Sequence, residues 1–250
     1  MVQNSRETIE GFLAKAEQNS QASLKNLPAV AGVLEQINRV AQDANDALVN
    51  SPDWFLVLFL GRAHSAFLAA VRLATAGQVP EAYMVLRGAL ENAMYALHIK
   101  ADPEELRRVE LWLRRGDSDT PKHAVIGEFR MGNLRESLQA ADTRVATIAN
   151  LLYERCIELG AHPNKLGLLT SVAWDHTDDS VPVFQVFAIT ANRDALMLSL
   201  KTAVEVGLTV LNIFSHVYRT RFELVGLLER IKALENLVEP TFRPFYQNAG

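Results

Sequence analysis

The sequence contains a single cysteine, Cys156, among its 250 residues. One cysteine excludes an internal disulfide and is typical of proteins that fold in a reducing cytosol. The amino-terminal residues 1–7 also lack the basic stretch and the apolar core of a secretory signal peptide. We therefore expect a cytoplasmic protein that is stabilised by its apolar core.

The short motifs of several enzyme classes are missing as well. The sequence has no GxGxxG or Walker phosphate-binding loop, no GxSxG nucleophile turn and no HExxH zinc motif. No two histidines share a helical face, so a structural zinc site is not expected, and we predict neither a metal nor a cofactor. The acidic cluster from Asp175 to Asp179 offers weak metal ligands, but it is more typical of an exposed turn.

The chain also has no large excess of charge of one sign. It carries 25 Lys and Arg against 29 Asp and Glu, and this net charge of −4 gives no global attraction to nucleic acid or anionic membranes. The apolar run from Trp54 to Leu60 is followed by Arg62, His64 and Arg72, well before it reaches the ~20 residues of a membrane span. We expect a core helix here and no contact with a membrane.

Charge is scarcest between residues 51 and 100, which predict a long helical hairpin. Residues 51–53 supply a capping hydroxyl, a proline and an acid, which together favour a helix start. Gly77 ends this helix, and Pro80 begins the second one. Before Lys100 the second helix carries only three full charges, Glu81, Arg87 and Glu91. A helix with so few charges is expected to be covered on most sides.

Helical periodicity continues on both sides of the hairpin and predicts an all-α protein. Further helices are expected over residues 5–26, 28–48, 102–116, 133–159, 192–218 and 221–238. Residues 116–132 predict a long loop, and residues 170–188 a small β-hairpin that turns near Asp178. We expect a bundle of about seven or eight helices in one domain, 1–250. It comprises an N-terminal helical pair at 1–50, a core bundle at 51–238 and a tail at 239–250, where Pro240 and Pro244 end the helical part.

Four polar residues lie along one edge of the second hairpin helix, at a spacing of three or four residues: Arg87, Glu91, Tyr95 and His98. An ordinary surface ion pair would account for Arg87 and Glu91. A largely buried pair would instead indicate a site, because buried charges are costly unless they are fully hydrogen-bonded. Both interpretations remain open, and the second makes the four residues candidates for binding a small molecule.

The order of these motifs resembles a known family. The hairpin carries the sequence RGALE from Arg87 to Glu91, a later helix carries Leu152 and Tyr153, and the following turn carries His162-Pro163. Over roughly residues 50–220 this order resembles a bacterial all-helical family of unknown function, with a similar arginine-to-glutamate motif and a later His-Pro or His-Gly turn. Our leading prediction is a cytoplasmic helical protein of this kind that acts by binding or self-association, and we expect a homodimer.

Arg155 and His162 carry a weaker resemblance, to the helical HEPN-like domains of toxins and defence nucleases. In those domains four to six residues separate an arginine from a later histidine, and six residues lie between Arg155 and His162. The resemblance implies a metal-independent ribonuclease of a toxin or phage-defence system. In such an enzyme His162 would exchange a proton at the ribose 2′-hydroxyl, Arg155 would stabilise the phosphate, and Asn164 would orient the substrate. RNA would contact the basic residues Arg107, Arg108, Arg114 and Arg115, although a solvated surface explains these equally well.

Overall fold

The computed structural model describes residues 8–104, 106–117, 119–161, 172–175, 183–186, 188–190 and 192–247. Most of these residues lie in eleven α-helices that pack as a bundle, which confirms the predicted all-α fold. The helices are α1 (Ile9–Asn26), α2 (Pro28–Ala47), α3 (Trp54–Ala76), α4 (Val79–Lys100), α5 (Arg107–Leu113), α6 (Asp119–Glu128), α7 (Met131–Ala141), α8 (Thr143–Cys156), α9 (Arg193–Val217), α10 (Arg219–Leu224) and α11 (Leu227–Gln247). A 3-10 turn at Arg114–Gly116 follows α5, and a π-helical turn at Ile157–Ala161 follows α8.

The hairpin of α3 and α4 lies at the centre of the bundle. Gly77 ends α3 in a left-handed conformation with φ of 87°, which allows its N–H to bond Ala74 O and the N–H of Gln78 to bond Leu73 O. Helix α4 contacts α3, α7, α8, α9 and the π-helical turn. The charge-poor helix is therefore covered on most sides, as its composition predicts.

Helix α9 is the second core helix and crosses close to α2 and α3. A Cβ atom on Gly207 would lie 2.8 Å from Phe67 Cε2 and 2.9 Å from Ile37 Cγ2, so any larger residue at this crossing would force these side chains to shift. Among the described residues, two helices are long and apolar enough to cross a membrane, α3 and α9. Burial separates them: 72% of the most apolar window of α9 is buried inside the bundle, against 39% for α3. One apolar face of α3 is therefore left uncovered.

The helix count exceeds the seven or eight predicted, because several predicted segments are divided. The expected loop at 116–132 contains α6, and the expected helix at 133–159 is broken into α7 and α8. The break falls at Asp142, whose backbone is extended and whose carboxylate accepts a bond of 2.9 Å from the N–H of Val145. This N-cap starts a new helix without interrupting the apolar periodicity, which is why the periodicity alone predicts one helix.

The predicted tail at 239–250 is wrong for the part that the structure describes. Gly226, with φ of 68°, separates α10 from α11, and α11 then continues through Pro240 and Pro244 to Gln247. Each proline removes a backbone hydrogen bond, which normally ends or kinks a helix. Phe242 between them has 0% exposure in the core, and we attribute the continuation of the helix to the burial of this ring.

Two short strands lie between α8 and α9. Val172–Asp175 (β1) pairs antiparallel with Val183–Val186 (β2), so that Val172 faces Val186 and Asp175 faces Val183. The strands lie within the region where the sequence predicts a hairpin. The turn near Asp178 lies outside the described residues, so the connection of the hairpin stays a prediction.

We expect Gly160→Ala to lower the free energy of unfolding by about 1–3 kcal/mol. A Cβ atom at this position of the π-helical turn would collide with the carbonyl oxygen of Pro80, a backbone atom at the start of α4. Urea denaturation followed by circular dichroism measures the effect. Gly32→Ala is the control, because its Cβ atom meets no atom within 4 Å and helix propensity favours alanine. Equal stability of the Gly160 variant and wild type would contradict the packing of this turn.

Candidate functional site

The polar edge of α4 meets α8 at Arg87 and Glu91. Arg87 Nε donates to Glu91 Oε1 at 2.8 Å, and the hydroxyl of Tyr153 donates to the same oxygen at 3.0 Å. The guanidinium of Arg87 also lies 5.2 Å from the centroid of the Tyr153 ring. The side chains of Arg87 and Glu91 are 29% and 33% exposed, so the pair is partly buried and still reachable from solvent. The two residues thus form the ion pair one helical turn apart that the spacing predicts, and it is neither fully exposed nor largely buried.

Arg135, from α7, approaches Tyr153 as well. Its guanidinium lies 5.2 Å from the ring centroid, and it bonds Glu154 Oε1 at 2.5 Å. Two guanidinium groups and two carboxylates therefore surround one buried tyrosine, with no net charge. The sequence did not indicate Arg135 as part of this cluster, because it lies on a different helix from Arg87.

Tyr95 and His98 continue the same edge but contact other elements. The Tyr95 ring stacks on Phe129 with centroids 5.0 Å apart, and its hydroxyl lies 3.4 Å from Phe129 O. His98 is 1% exposed, and its Nδ1 forms a 2.7 Å hydrogen bond with Ser137 Oγ. The four residues proposed for ligand binding thus lie on one edge but do not converge on one point. Only Arg87 and Glu91 touch each other.

The protonation states of this edge are fixed near neutral pH. Burial, together with the charge of Glu91, raises the pKa of Tyr153 to about 12, so its hydroxyl remains protonated. Burial, together with the positive charge of Arg108, lowers the pKa of His98 below its usual value, so the ring stays neutral. A group that exchanges protons in catalysis works best with a pKa near the operating pH. The arrangement of these residues is better suited to binding than to proton transfer.

Glu128 is the centre of a second ion cluster, which lies next to His98. It accepts hydrogen bonds from Arg108 Nε at 2.7 Å and from Arg107 Nη2 at 3.1 Å, and its Oε1 lies 3.3 Å from His98 Nε2. Arg108 is further held by donation to His98 O at 2.6 Å. Burial alone would raise the pKa of Glu128, but the hydrogen bonds from the two arginines outweigh it and lower the pKa to about 2. Arg107 and Arg108, predicted to contact RNA, are thus bonded to a carboxylate of the bundle.

The other two arginines of the basic region are exposed. Arg114 pairs with Asp117 at 3.4 Å, and its side chain is 70% exposed, while Arg115 follows it in the 3-10 turn at the surface. Neither Arg114 nor Arg115 lines the surface groove to which Arg155 contributes. The structure therefore divides the predicted basic region into one pair that is bonded to Glu128 and one pair that lies at the surface.

Arg155 bonds to α9. Its Nη1 donates to Glu205 Oε2 at 2.6 Å and to Thr202 Oγ1 at 3.2 Å, and its side chain is 32% exposed. His162 and Asn164, the proposed catalytic partners, lie outside the described residues. To stabilise a phosphate, Arg155 would have to share its guanidinium with Glu205.

A groove that the sequence did not indicate lies beside Arg155, between α8, α9 and α11. It encloses about 380 Å³, and its floor is apolar, with Val145, Ile148, Leu152, Leu208 and Val238. Arg144 bonds Glu235 Oε1 at 3.2 Å near one end, and the Arg155–Glu205 pair lies near the other. Two of its walls, α8 and α9, are more than 35 residues apart in sequence. A local sequence pattern therefore cannot indicate the groove. Among the described residues no cluster of three or more His, Cys, Asp or Glu side chains could hold a metal ion.

Comparison of the chain with protein-family models, with curated proteins and with solved structures finds no significant match. The resemblances to a bacterial helical family and to HEPN-like domains therefore stay predictions from the sequence.

We expect Glu128→Gln to lower the free energy of unfolding at pH 7 by about 2 kcal/mol, because Arg107 and Arg108 lose a partly buried charged partner. The pKa of Glu128 is about 2 in the folded protein, below the ordinary value of 4.5. Its contribution is therefore complete above about pH 4.5 and is lost as the pH falls towards 2. Urea denaturation between pH 7 and pH 2 measures this loss, which the variant should lack.

Glu104→Gln is the matched control for this measurement. Glu104 also approaches Arg107, at 3.7 Å, but its side chain is 72% exposed. We expect this variant to be as stable as wild type, because exposed ion pairs contribute little. Equal effects of the two substitutions would show that the Glu128 cluster is not a stabilising centre.

Proposed function

We propose that the protein acts by binding, and that its docking surface is the uncovered face of α3, through which two copies form a two-fold dimer. The observation that carries the proposal is the contrast between α3 and α9: both helices are apolar, but 39% of the most apolar window of α3 is buried, against 72% for α9. A soluble protein rarely exposes a long apolar helix face unless that face contacts a partner.

Large apolar side chains lie on this face with small ones between them. Trp54, Leu58 and Leu68 are 63%, 56% and 44% exposed. The smaller residues Gly61, Ser65 and Ala69 follow one another at four-residue intervals on the same side, and a Cβ atom on Gly61 would meet nothing within 4 Å. Small residues in a row allow a second helix to approach closely.

The face is self-complementary for antiparallel pairing about Ser65. With a two-fold axis at Ser65, Gly61 of one copy faces Ala69 of the other, and the small residues meet along the contact. The same symmetry places Leu58 opposite the aliphatic stem of Arg72, and Leu68 opposite that of Arg62. A two-fold interface requires this kind of reciprocal match, in which residue i contacts j and j contacts i.

Charge on the face also favours a second copy. Arg62 and Arg72 are the only full charges on α3. In the antiparallel arrangement the two Arg62 residues are separated by about 9 Å along the helix axis, and the two Arg72 residues by about 21 Å. The like charges therefore stay apart while their stems cover the leucines of the partner. The face is small, so we expect a dissociation constant of about 1–100 µM.

The geometry of the other predicted sites supports binding more than nuclease chemistry. The guanidinium groups of Arg107, Arg108 and Arg155 are each bonded to a carboxylate of the bundle. Burial raises the pKa of Tyr153 to about 12 and lowers the pKa of His98 below its usual value, so neither side chain is suited to exchange a proton near neutral pH. These side chains would have to break existing bonds before they could hold an RNA phosphate.

We expect Ser65→Cys to form a disulfide-linked dimer under mild oxidation, because residues on a two-fold axis of closely packed helices lie within the range that a disulfide spans. The native Cys156 does not interfere, since it is 0% exposed and burial raises its pKa to about 12. Non-reducing gel electrophoresis measures the product. Gln21→Cys, an exposed position on α1, is the control and should remain monomeric.

We also expect Leu58→Glu to shift the protein to monomer in analytical ultracentrifugation at 10–100 µM and to prevent the cross-link of Ser65→Cys. Leu13→Glu is the matched control, since Leu13 on α1 is 52% exposed, close to the 56% of Leu58. A wild-type protein that is monomeric at 100 µM would contradict the proposal. A dimer unaffected by Leu58→Glu would place the interface elsewhere.

A further inference from the structure

The groove between α8, α9 and α11 has the dimensions of a small-molecule site. Its volume of about 380 Å³ lies within the range of ligand pockets, roughly 300–1,000 Å³. Helix α3 contributes no residue to the groove, so occupation of the groove does not depend on the docking surface proposed above. None of the residues suggested by the sequence for ligand binding lines it.

Ion pairs limit the length of the groove. Arg144 on α8 reaches Glu235 on α11, and Asn212 on α9 donates to the same carboxylate oxygen at 3.0 Å. At the other end Arg155 on α8 reaches Glu205 on α9. Arg144 and Arg155 are eleven residues apart on the chain, or about 16 Å along α8. A partner helix would have to pass these pairs, whereas a small molecule fits between them.

The charges of the groove are already neutralised. Each of its two arginines is within 3.2 Å of a groove carboxylate, so a charged ligand would have to displace an existing partner. The polar side chains on α9 donate locally as well: Thr209 Oγ1 bonds Glu205 O at 2.8 Å, and Asn212 Nδ2 bonds Leu208 O at 2.9 Å. Removing a charge from water without a free partner is costly, which disfavours an ionic ligand.

The floor and one wall of the groove are apolar and partly exposed to solvent. Ile148 lies half-buried in the floor, and Leu151 at the mouth is 64% exposed. Leu208 on α9 and Val238 on α11 complete the apolar surface. Leu208 is already buried at 4% exposure, so an apolar ligand gains by covering Ile148, Leu151 and Val238, at about 25 cal/mol for each Å² of apolar surface removed from water.

From this combination of size, closed ends, paired charges and apolar lining, we infer that the groove binds an uncharged, largely apolar small molecule, such as a polycyclic aromatic compound. The body of the ligand lies on Ile148, Leu151 and Leu208. The two ion pairs, Arg144–Glu235 and Arg155–Glu205, remain intact and limit the length of the ligand.

The test uses 1-aminoanthracene, an uncharged aromatic probe whose fluorescence rises in an apolar environment. Titration of the full chain at pH 7.5 is expected to show saturable 1:1 binding. Ile148→Glu places a carboxylate in the floor and should weaken binding at least tenfold. Leu151→Glu should weaken it about fivefold, and because Leu151 is exposed this variant retains its fold even if Ile148→Glu does not.

Thr147→Glu is the matched control, because Thr147 is the exposed neighbour of Ile148 on α8 and does not line the groove. Its affinity should stay within twofold of wild type. The anionic probe 8-anilinonaphthalene-1-sulfonate should bind more weakly than the uncharged one. Absence of saturable binding by wild type, unchanged affinity in Leu151→Glu, or tighter binding of the anionic probe would each overturn the inference.

Discussion

Enclosure of α4 by its neighbours is the constraint on which the rest of the structure depends. Six residues along this helix have 0% exposure: Ala82, Leu86, Ala89, Leu90, Ala93 and Ala96. Four of them are alanines, which leave room for α3 and α9 to approach closely. Because the helix is surrounded, each polar group on it needs a partner from another element. Glu91 finds Tyr153 on α8, and His98 finds Ser137 on α7.

Shared carboxylates connect the helices around this centre. Glu91 accepts from α4 and α8, Glu128 joins α6 to α5, and Glu205 joins α9 to α8. Glu235 accepts from both α8 and α9. Each carboxylate is partly buried and bonded to at least one arginine, so its charge is compensated where desolvation would otherwise be costly. The same pairing engages the guanidinium groups of Arg107, Arg108 and Arg155, which the sequence suggested for contact with RNA.

The docking surface on α3 and the groove beside α8 differ in kind. The exposed face of α3 carries large side chains around a row of small ones, which suits contact with another helix. The groove beside α8 is limited near both ends by ion pairs, which suits a small ligand. Helix α9 packs against α3 and also forms one wall of the groove. The packing of this one core helix therefore positions both surfaces.

Local signals in the sequence determined the end of α3 at Gly77, and they brought Arg87 next to Glu91, because a spacing of four residues acts within one helix. Tertiary structure decided the rest. The bond from Tyr153 to Glu91 joins residues 62 apart, and that from Arg144 to Glu235 joins residues 91 apart. Burial of Phe242 accompanies a helix that runs past two prolines, against the local rule. Periodicity reports which face of a helix is apolar, but not which helix covers it. The uncovered face of α3 and the groove beside α8 follow only from how the helices pack.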